Sequence, residues 1–177
     1  MRLIPYQPHD VDEPQELVAA IRARRGGTLL NLDRMLLHSP PLARGWNGYL
    51  RAVRTELAVL PKLRELAICV VAVLTGADYE FGQHGPEFLK AGGTARELDA
   101  VARIAAADLD TTTFDAQEQA IIGLATEMTT SVRVRRATLE AARAALANDR
   151  QMVEMVGVIA TYNMVSRFLV ALDVEPE

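Results

Sequence analysis

Apolar positions along the chain recur with a helical period, and no stretch shows the sustained alternation typical of a strand. Prolines stand at the start of several such segments, and glycines or polar caps stand at their ends. The predicted helices cover residues 14–25, 29–37, 40–57, 61–76, 78–91, 94–107, 115–130, 137–147 and 148–172. The pattern therefore predicts an all-α fold, in which residues 1–12 and 173–177 are the parts most prone to fray.

The segment Leu63–Leu74 differs from the other predicted helices, because nearly all of its positions are apolar. Its exceptions are Arg64, Glu65 and the thiol of Cys69. A helix that is apolar on all sides is either a buried central helix or part of an oligomer interface. An unpaired carboxylate is costly to bury, so Glu65 must either face water or meet a compensating group.

Candidate chemistry is concentrated in this helix and the next one. Glu80 and His84 are four residues apart and share a helix face, and the short turn at 76–77 makes the two helices an antiparallel hairpin. At about 1.5 Å per residue, Cys69 and His84 each lie roughly 10 Å from the turn, with Glu65 about one turn further. These four side chains can line one small pocket suited to proton transfer. An exposed Glu–His ion pair is the alternative interpretation.

Composition and charge narrow the possible functions. The 177 residues predict a single domain over 1–177, and the net charge of −4 offers no general attraction to nucleic acid or to an anionic membrane. The single cysteine excludes an internal disulfide and a Cys-rich metal site. The spacing of His and carboxylates also lacks the common metal motifs, so we expect neither a metal nor a cofactor. With no visible secretory signal and no uncharged run of membrane-spanning length, a cytoplasmic protein is expected.

The hairpin resembles a known family. The stretch at 64–68, the residues ADYEFGQH at 77–84, and the pair Ala91-Gly92 with its following cap are similar to the core of the carboxymuconolactone decarboxylase family, which also contains alkyl hydroperoxidase D. The similarity extends outward to residues 31–40 and 162–165, with a family-like core at about 40–130. It implies the alkyl hydroperoxidase D-like helical fold with a central antiparallel hairpin. It also implies a homo-oligomer, either a trimer or a hexamer.

The resemblance also shows where this sequence departs from the family's peroxidases. Those members carry C-x-x-C-x-x-x-H in the hairpin, with a Glu twelve residues before the first Cys. Ala77 and Glu80 occupy the two cysteine positions here, whereas the His and the upstream Glu are kept as His84 and Glu65. Dithiol peroxidase chemistry needs one thiolate to attack the peroxide and a second thiol to resolve the product. The resemblance to that branch therefore implies the fold and not the activity.

Resemblance to the decarboxylase branch implies cofactor-free acid–base chemistry of the lyase type on a small unsaturated or lactone acid. In that interpretation His84 is the catalytic acid, and Glu65 or Glu80 orients it. The candidate substrate contacts are three aromatic residues, each of which can alternatively be a core residue: Trp46, Tyr79 and Tyr162.

Two other functions stay open at this point. The first is a peroxidase of the peroxiredoxin type that uses Cys69 activated by His84, although a lone Cys in an apolar helix is more often a small buried residue. The second is a helical, oligomeric binding protein without turnover, in which the Glu65, Glu80 and His84 side chains form a structural network.

Overall fold

The computed structural model describes residues 3–104 and 111–177. Within these two ranges the regular structure is helical, with a short 3₁₀ turn at Thr111–Thr113 and no strand, which confirms the all-α prediction. The helices are α1 (Gln15–Arg24), α2 (Asn31–Leu36), α3 (Pro40–Thr55), α4 (Pro61–Thr75), α5 (Asp78–Lys90), α6 (Ala95–Ala102), α7 (Ala116–Thr130), α8 (Arg136–Ala145) and α9 (Asp149–Ala171).

Most helix ends follow from local sequence signals. Prolines that lack a backbone donor occupy the first turns of α3 and α4, where no intrahelical donor is needed. Gly76 ends α4 with φ of 66°, in the left-handed region that favours glycine. Capping boxes begin α6, through Thr94 and Glu97, and α7, through Asp115 and Glu118. These ends therefore depend on the chain's own local chemistry.

The predicted end of α6 is wrong. The pattern extends this helix to about residue 107, but it ends at Ala102, and Ala107 itself lies outside the described residues. The backbone N–H of Arg103 bonds to the carbonyl of Ala100, so the last turn tightens to 3₁₀ geometry and the α-helix stops.

The chain divides into two compact units. The first contains the described residues up to Glu56 together with Ala171–Glu177, and so holds α1 to α3. Inside it Tyr6 Oη accepts a hydrogen bond from the Glu175 N–H at 2.9 Å, and the Asn31 N–H donates to Glu177 at 2.6 Å. The C-terminal tail is therefore held by hydrogen bonds, although the sequence predicts that it frays. The single domain over 1–177 stays a prediction.

The second unit, residues 57–170, is built around α4. The stretch from Leu66 to Ala72 is fully buried, and α4 packs against both α5 and α7. Of the two alternatives for an all-apolar helix, α4 is the buried central helix. The antiparallel hairpin of α4 and α5 is present as predicted, because Gly76 and Ala77 form the whole connection between them.

One lysine joins three helix starts in this unit. Lys62 Nζ, in the first turn of α4, lies 2.9 Å from Glu97 Oε1 and 2.5 Å from Glu118 Oε1. Both carboxylates are the third-position acids of the capping boxes of α6 and α7, and both are almost completely buried. A single cation therefore compensates two buried negative charges and ties these helix N-termini together.

The last helix is apolar on two opposite faces. By length and composition α9 is the one helix among the described residues that could cross a membrane, with a mean hydropathy of 1.3 over its most apolar window. Half of that window is buried inside the protein, as is common for a core helix. Its inner face, which includes Met155, Tyr162 and Leu169, belongs to the core.

Candidate active site

The site centres on a contact between the two arms of the hairpin. His84 Nδ1, on α5, lies 2.7 Å from Glu65 Oε2, on α4, and both side chains are buried. The other carboxylate oxygen of Glu65 accepts a hydrogen bond of 3.1 Å from Arg64 Nε. The buried carboxylate is thus compensated by a guanidinium and an imidazole, which resolves the two alternatives for Glu65 in favour of compensation.

These contacts set the charge state of Glu65. Burial by itself raises the pKa of this carboxyl group, because it disfavours the ionised form. The hydrogen bond and charge of His84, together with those of Arg64, outweigh burial and leave the pKa below its ordinary value. Glu65 is therefore an ionised acceptor at neutral pH, so the Nδ1 atom of His84 carries the proton that joins them.

The second carboxylate of the site, Glu80, accepts a hydrogen bond from a residue near the C-terminal end of the second unit. Glu80, on α5, is 2% exposed, and its Oε2 accepts a hydrogen bond of 2.7 Å from Ser166 Oγ on α9. Ser166 is absent from the sequence-based candidates. The one signal for it is its position four residues after Tyr162, which places both side chains on one helix face.

Tyr162 contacts the imidazole directly. Its ring packs edge-to-face on that of His84, with centroids 4.9 Å apart and planes at 85°. Two pairs with four-residue spacing therefore meet: Tyr162 and Ser166 on α9, and His84 and Glu80 on α5. Asn163, the neighbour of Tyr162, instead donates hydrogen bonds to Thr129 and to the carbonyl of Ile159.

Cys69 is fully buried and reduced. Burial raises the pKa of its thiol far above the ordinary value, and the negative charges of Glu65 and Glu80 raise it further. A thiol in this setting does not form the thiolate that peroxide chemistry requires. The environment of Cys69 is that of a small core residue.

The two remaining candidates, Tyr79 and Trp46, lie on different helices. Tyr79 is buried on α5, one residue before Glu80, so its side chain leaves the helix about 100° away from that of Glu80. Trp46 lies on α3, in the first unit, so its role as a substrate contact stays a prediction. In the described part of the chain, no group of three or more His, Cys, Asp or Glu side chains is arranged to hold a metal ion.

The chain is similar to one known protein family over the region that contains the site. The family model described as the carboxymuconolactone decarboxylase family matches residues 40–127, a range that contains Glu65, Glu80 and His84. No curated protein matches the chain by sequence.

Several solved structures share the fold. An uncharacterised peroxidase-related protein from Silicibacter sp. TM1040 is 19% identical with a TM-score of 0.79, over 99% of this chain and 90% of that one. An uncharacterised peroxidase-related protein from Ralstonia eutropha JMP134, described as an alkylhydroperoxidase AhpD core, is 17% identical with a TM-score of 0.76, over 94% of this chain and 86% of that one. A Cys-to-Ala variant of the debrominase Bmp8, in complex with 2,3,4-tribromopyrrole, is 15% identical with a TM-score of 0.78, over 100% and 94%. At these identities the similarity establishes the fold, and it confirms the alkyl hydroperoxidase D-like prediction.

Proposed function

Since this chain belongs to the carboxymuconolactone decarboxylase family through residues 40–127, we propose that it is a cofactor-free acid–base enzyme that removes CO2 from a small unsaturated or lactone acid. The observation that carries the proposal is the buried hydrogen bond of 2.7 Å between His84 Nδ1 and Glu65 Oε2. A carboxylate that accepts a hydrogen bond from one ring nitrogen of a histidine orients the ring and stabilises its protonated form, which is the form that delivers a proton.

His84 Nε2 is the atom that exchanges the proton in this proposal. Loss of CO2 breaks the bond between the carboxyl carbon and its neighbour, and the electron pair of that bond enters the conjugated system as a dienolate. The Nε2–H of protonated His84 then transfers its proton to carbon, and solvent restores the proton. The carboxylate of Glu65 stabilises the protonated ring before this transfer, since opposite charges at hydrogen-bond distance favour the charged form.

The formal charges of the site suit an anionic substrate. With His84 protonated, His84 and Arg64 contribute two positive charges, and Glu65 and Glu80 contribute two negative charges when both are ionised, so the sum is zero. A substrate carboxylate entering such a site meets no net repulsion. Tyr162 is fully buried, and its edge-to-face contact restrains the ring plane of His84. In this proposal Tyr162 therefore positions the imidazole beside which the substrate lies.

One structural neighbour supports a substrate of this size. The debrominase Bmp8 was solved with 2,3,4-tribromopyrrole, a small planar ring. An unsaturated lactone acid is also a small, nearly planar molecule. We therefore place the substrate of this chain in that size class.

The test is CO2 release from a panel of small unsaturated and lactone acids. Replacing His84→Gln keeps a polar side chain of similar reach but removes the imidazole that exchanges the proton in this proposal, so we expect a loss of turnover of about 100-fold or more. His9→Gln is the matched control, because His9 is an exposed histidine outside the site. Wild-type rates for His84→Gln would overturn the role of His84, and no CO2 from any acid in the panel would overturn the reaction.

A non-catalytic binding protein is the second candidate, and near-complete burial of the pair supports it: Glu65 is 5% and His84 7% exposed. That role predicts that His84→Gln lowers thermal stability while no small acid turns over. A peroxidase based on Cys69 has less support, since the thiol is buried and its pKa is raised. Peroxide consumption by the wild type that is lost in Cys69→Ser would support this peroxidase function.

A cytoplasmic location and a homo-oligomeric state belong to the same proposal. A reduced cysteine is compatible with a cytoplasmic compartment. The oligomer needs a surface other than α4, because α4 is buried within a single chain.

A further inference from the structure

A cleft between α1 and α3 lies within the first unit. Its volume is about 340 Å³, near the lower end of the range of roughly 300–1,000 Å³ that is typical of small-molecule sites. From α1 it is lined by Leu17, Ile21 and Arg24, whose intervals of four and three residues place them on one helix face. From α3 it is lined by Asn47, Gly48 and Arg51. The cleft thus combines an apolar floor with two arginines.

We propose that this cleft binds a small carboxylic acid whose apolar body is a single ring or a short chain. The guanidinium groups of Arg24 and Arg51 hold the carboxylate, because an arginine fork matches a planar carboxylate with parallel N–H groups. The apolar body lies over Gly48 and against the floor of the cleft. None of these residues belongs to the pair of Glu65 and His84, which is part of the second unit.

Positive charge is concentrated at the Arg24 end of the cleft, although the whole chain carries a net charge of −4. Two guanidinium groups share one carboxylate there: Asp33 Oδ1 lies 3.4 Å from Arg24 Nη2, and Asp33 Oδ2 lies 3.0 Å from Arg25 Nε. Burial lowers the pKa of Arg24, and the charges of Arg25 and Arg54 lower it further against the opposing charge of Asp33. The Arg24 guanidinium is therefore stabilised by a further negative charge, which a ligand carboxylate supplies.

The two arginines are held differently. Asn47 Oδ1 accepts a hydrogen bond of 2.5 Å from Arg24 Nη2, and Asn47 Nδ2 donates to the carbonyl of Ala43 at 2.8 Å. Arg51 is 68% exposed, and its Nη2 lies 3.5 Å from an oxygen of the exposed Glu56. An ion pair between exposed side chains contributes little to stability, so Arg51 can turn from Glu56 to a ligand. Arg24 is thus preorganised, whereas Arg51 can adapt to the ligand.

Gly48 keeps the cleft open. Within the described part of the chain, and apart from its two chain neighbours, no side chain lies within 4 Å of where a Cβ of Gly48 would be. Gly48 is inside α3, so its backbone does not need the left-handed conformation that favours glycine. Glycine is also among the least favourable residues for a helix interior. Neither the backbone nor a close neighbour requires a glycine here, and its consequence is open space beside the two arginines.

The first experiment titrates the full chain with sodium benzoate, a single ring with one carboxylate, by isothermal titration calorimetry at fixed ionic strength. For a ligand of this size we expect a dissociation constant of about 1 mM. Benzyl alcohol has the same ring without the charge and should bind about 10-fold more weakly or less. Inorganic phosphate has the charge without the apolar body, so an equal concentration should not displace benzoate.

Replacing Gly48→Leu tests the location, because the new side chain fills the cleft and leaves every charge in place. We expect the affinity for benzoate to fall about 10-fold or more, because the ring and the new side chain cannot occupy the same space. Tm should stay the same or rise, since leucine favours a helix more than glycine does. Gly45→Leu is the matched control: Gly45 is also in α3 with open space around its Cβ position, and it does not line the cleft. We expect it to bind benzoate as the wild type does.

Replacing Arg24→Gln tests the charge. Loss of a charged donor should weaken benzoate binding about 10-fold or more. Arg44→Gln removes an exposed arginine of α3 that does not line the cleft, and it should keep the wild-type affinity. Circular dichroism checks that both variants stay helical, and Gly48→Leu still decides the question if Arg24→Gln does not fold.

Five results would each contradict a carboxylate site in this cleft: no binding of benzoate by the wild type, equal affinity for benzyl alcohol, displacement of benzoate by phosphate, wild-type affinity in Gly48→Leu, or the same loss of affinity in Gly45→Leu. Binding that persists in Gly48→Leu but is lost in His84→Gln would place the acid at the pair of Glu65 and His84 instead. None of these measurements requires release of CO2, so their outcome is independent of the proposed reaction.

Discussion

Replacing Glu65→Gln tests the electrostatic basis of the site, because it removes one charge and almost no volume. Glu65 accepts hydrogen bonds from His84 Nδ1 at 2.7 Å and Arg64 Nε at 3.1 Å while it is 5% exposed. The Gln oxygen can keep the bond to His84, but the Gln amide group then faces the guanidinium of Arg64, and two donors cannot bond to each other.

The magnitude follows from the bonds that are lost. A hydrogen bond to a charged group contributes about 1.5–3 kcal/mol, and a neutral acceptor weakens the bond that stays by roughly half. Burying an amide instead of a carboxylate offsets part of this loss, since a buried charge carries a desolvation penalty. We expect a net destabilisation of about 2 kcal/mol, which for a chain of this size lowers Tm by about 4–8 °C.

The pH dependence gives this prediction its sharpest signature. The pKa of Glu65 is lower in the folded protein than its ordinary value, so its contribution is present above the unfolded-state pKa of about 4.3 and is lost as the pH falls through the folded-state value. Thermal unfolding followed by circular dichroism should therefore show a large difference between wild type and Glu65→Gln at pH 7. The difference should shrink as the pH falls below about 4.

A matched control is Glu56→Gln. Glu56 is more than half exposed, and its partner Arg51 lies 3.5 Å away, so we expect a change of no more than about 1 °C. Two results would contradict an electrostatic role of Glu65: unfolding of Glu65→Gln within about 1 °C of the wild type at pH 7, or a difference from wild type that is the same at pH 3.5 as at pH 7.

Two further predictions concern the contacts that extend beyond the hairpin. Lys62→Met should destabilise the protein by about 3 kcal/mol in urea unfolding, because it leaves two buried carboxylates without their shared cation. Burial by itself lowers the pKa of Lys62, but the hydrogen bonds to those two carboxylates outweigh burial, so the pKa is higher in the folded protein than its ordinary value. The stabilisation by Lys62 should therefore persist to about pH 10.4 and be lost only as the pH rises through the higher folded-state pKa. Ser166→Ala should cost about 1.5–3 kcal/mol in the same assay, since it removes a buried donor to Glu80.

Each of these variants has a control in the chain. Lys90→Met removes a lysine that is 71% exposed and pairs only with Glu87 among the ion pairs of the described residues, so its effect should stay below about 0.5 kcal/mol. Ser131→Ala removes an exposed serine and should likewise change little. If Lys90→Met destabilised the protein as much as Lys62→Met, the effect would not come from the shared cation.

The chain's own pattern was enough to predict the all-α class, most helix ends and the hairpin that carries Glu65 and His84. Each of these depends on neighbours in sequence: a proline or a capping box begins a helix, a glycine ends one, and a two-residue turn forces adjacent helices to run antiparallel. In such a tight hairpin, spacing places Cys69 level with His84 and Glu65 about one turn further from the connection. The pattern therefore indicates that Glu65 and His84 can line one pocket, but the hydrogen bond between them is known only from the packing of the two helices.

The tertiary structure decided which distant residues complete the site. Ser166 is 86 positions from Glu80, and no local rule says which helix packs on α5, so the hydroxyl that holds Glu80 could not be found from the pattern. The same holds for Lys62, which joins two capping boxes that the sequence shows only as separate motifs. Local spacing determines the face on which a side chain stands, whereas only the packing of helices determines what that face meets.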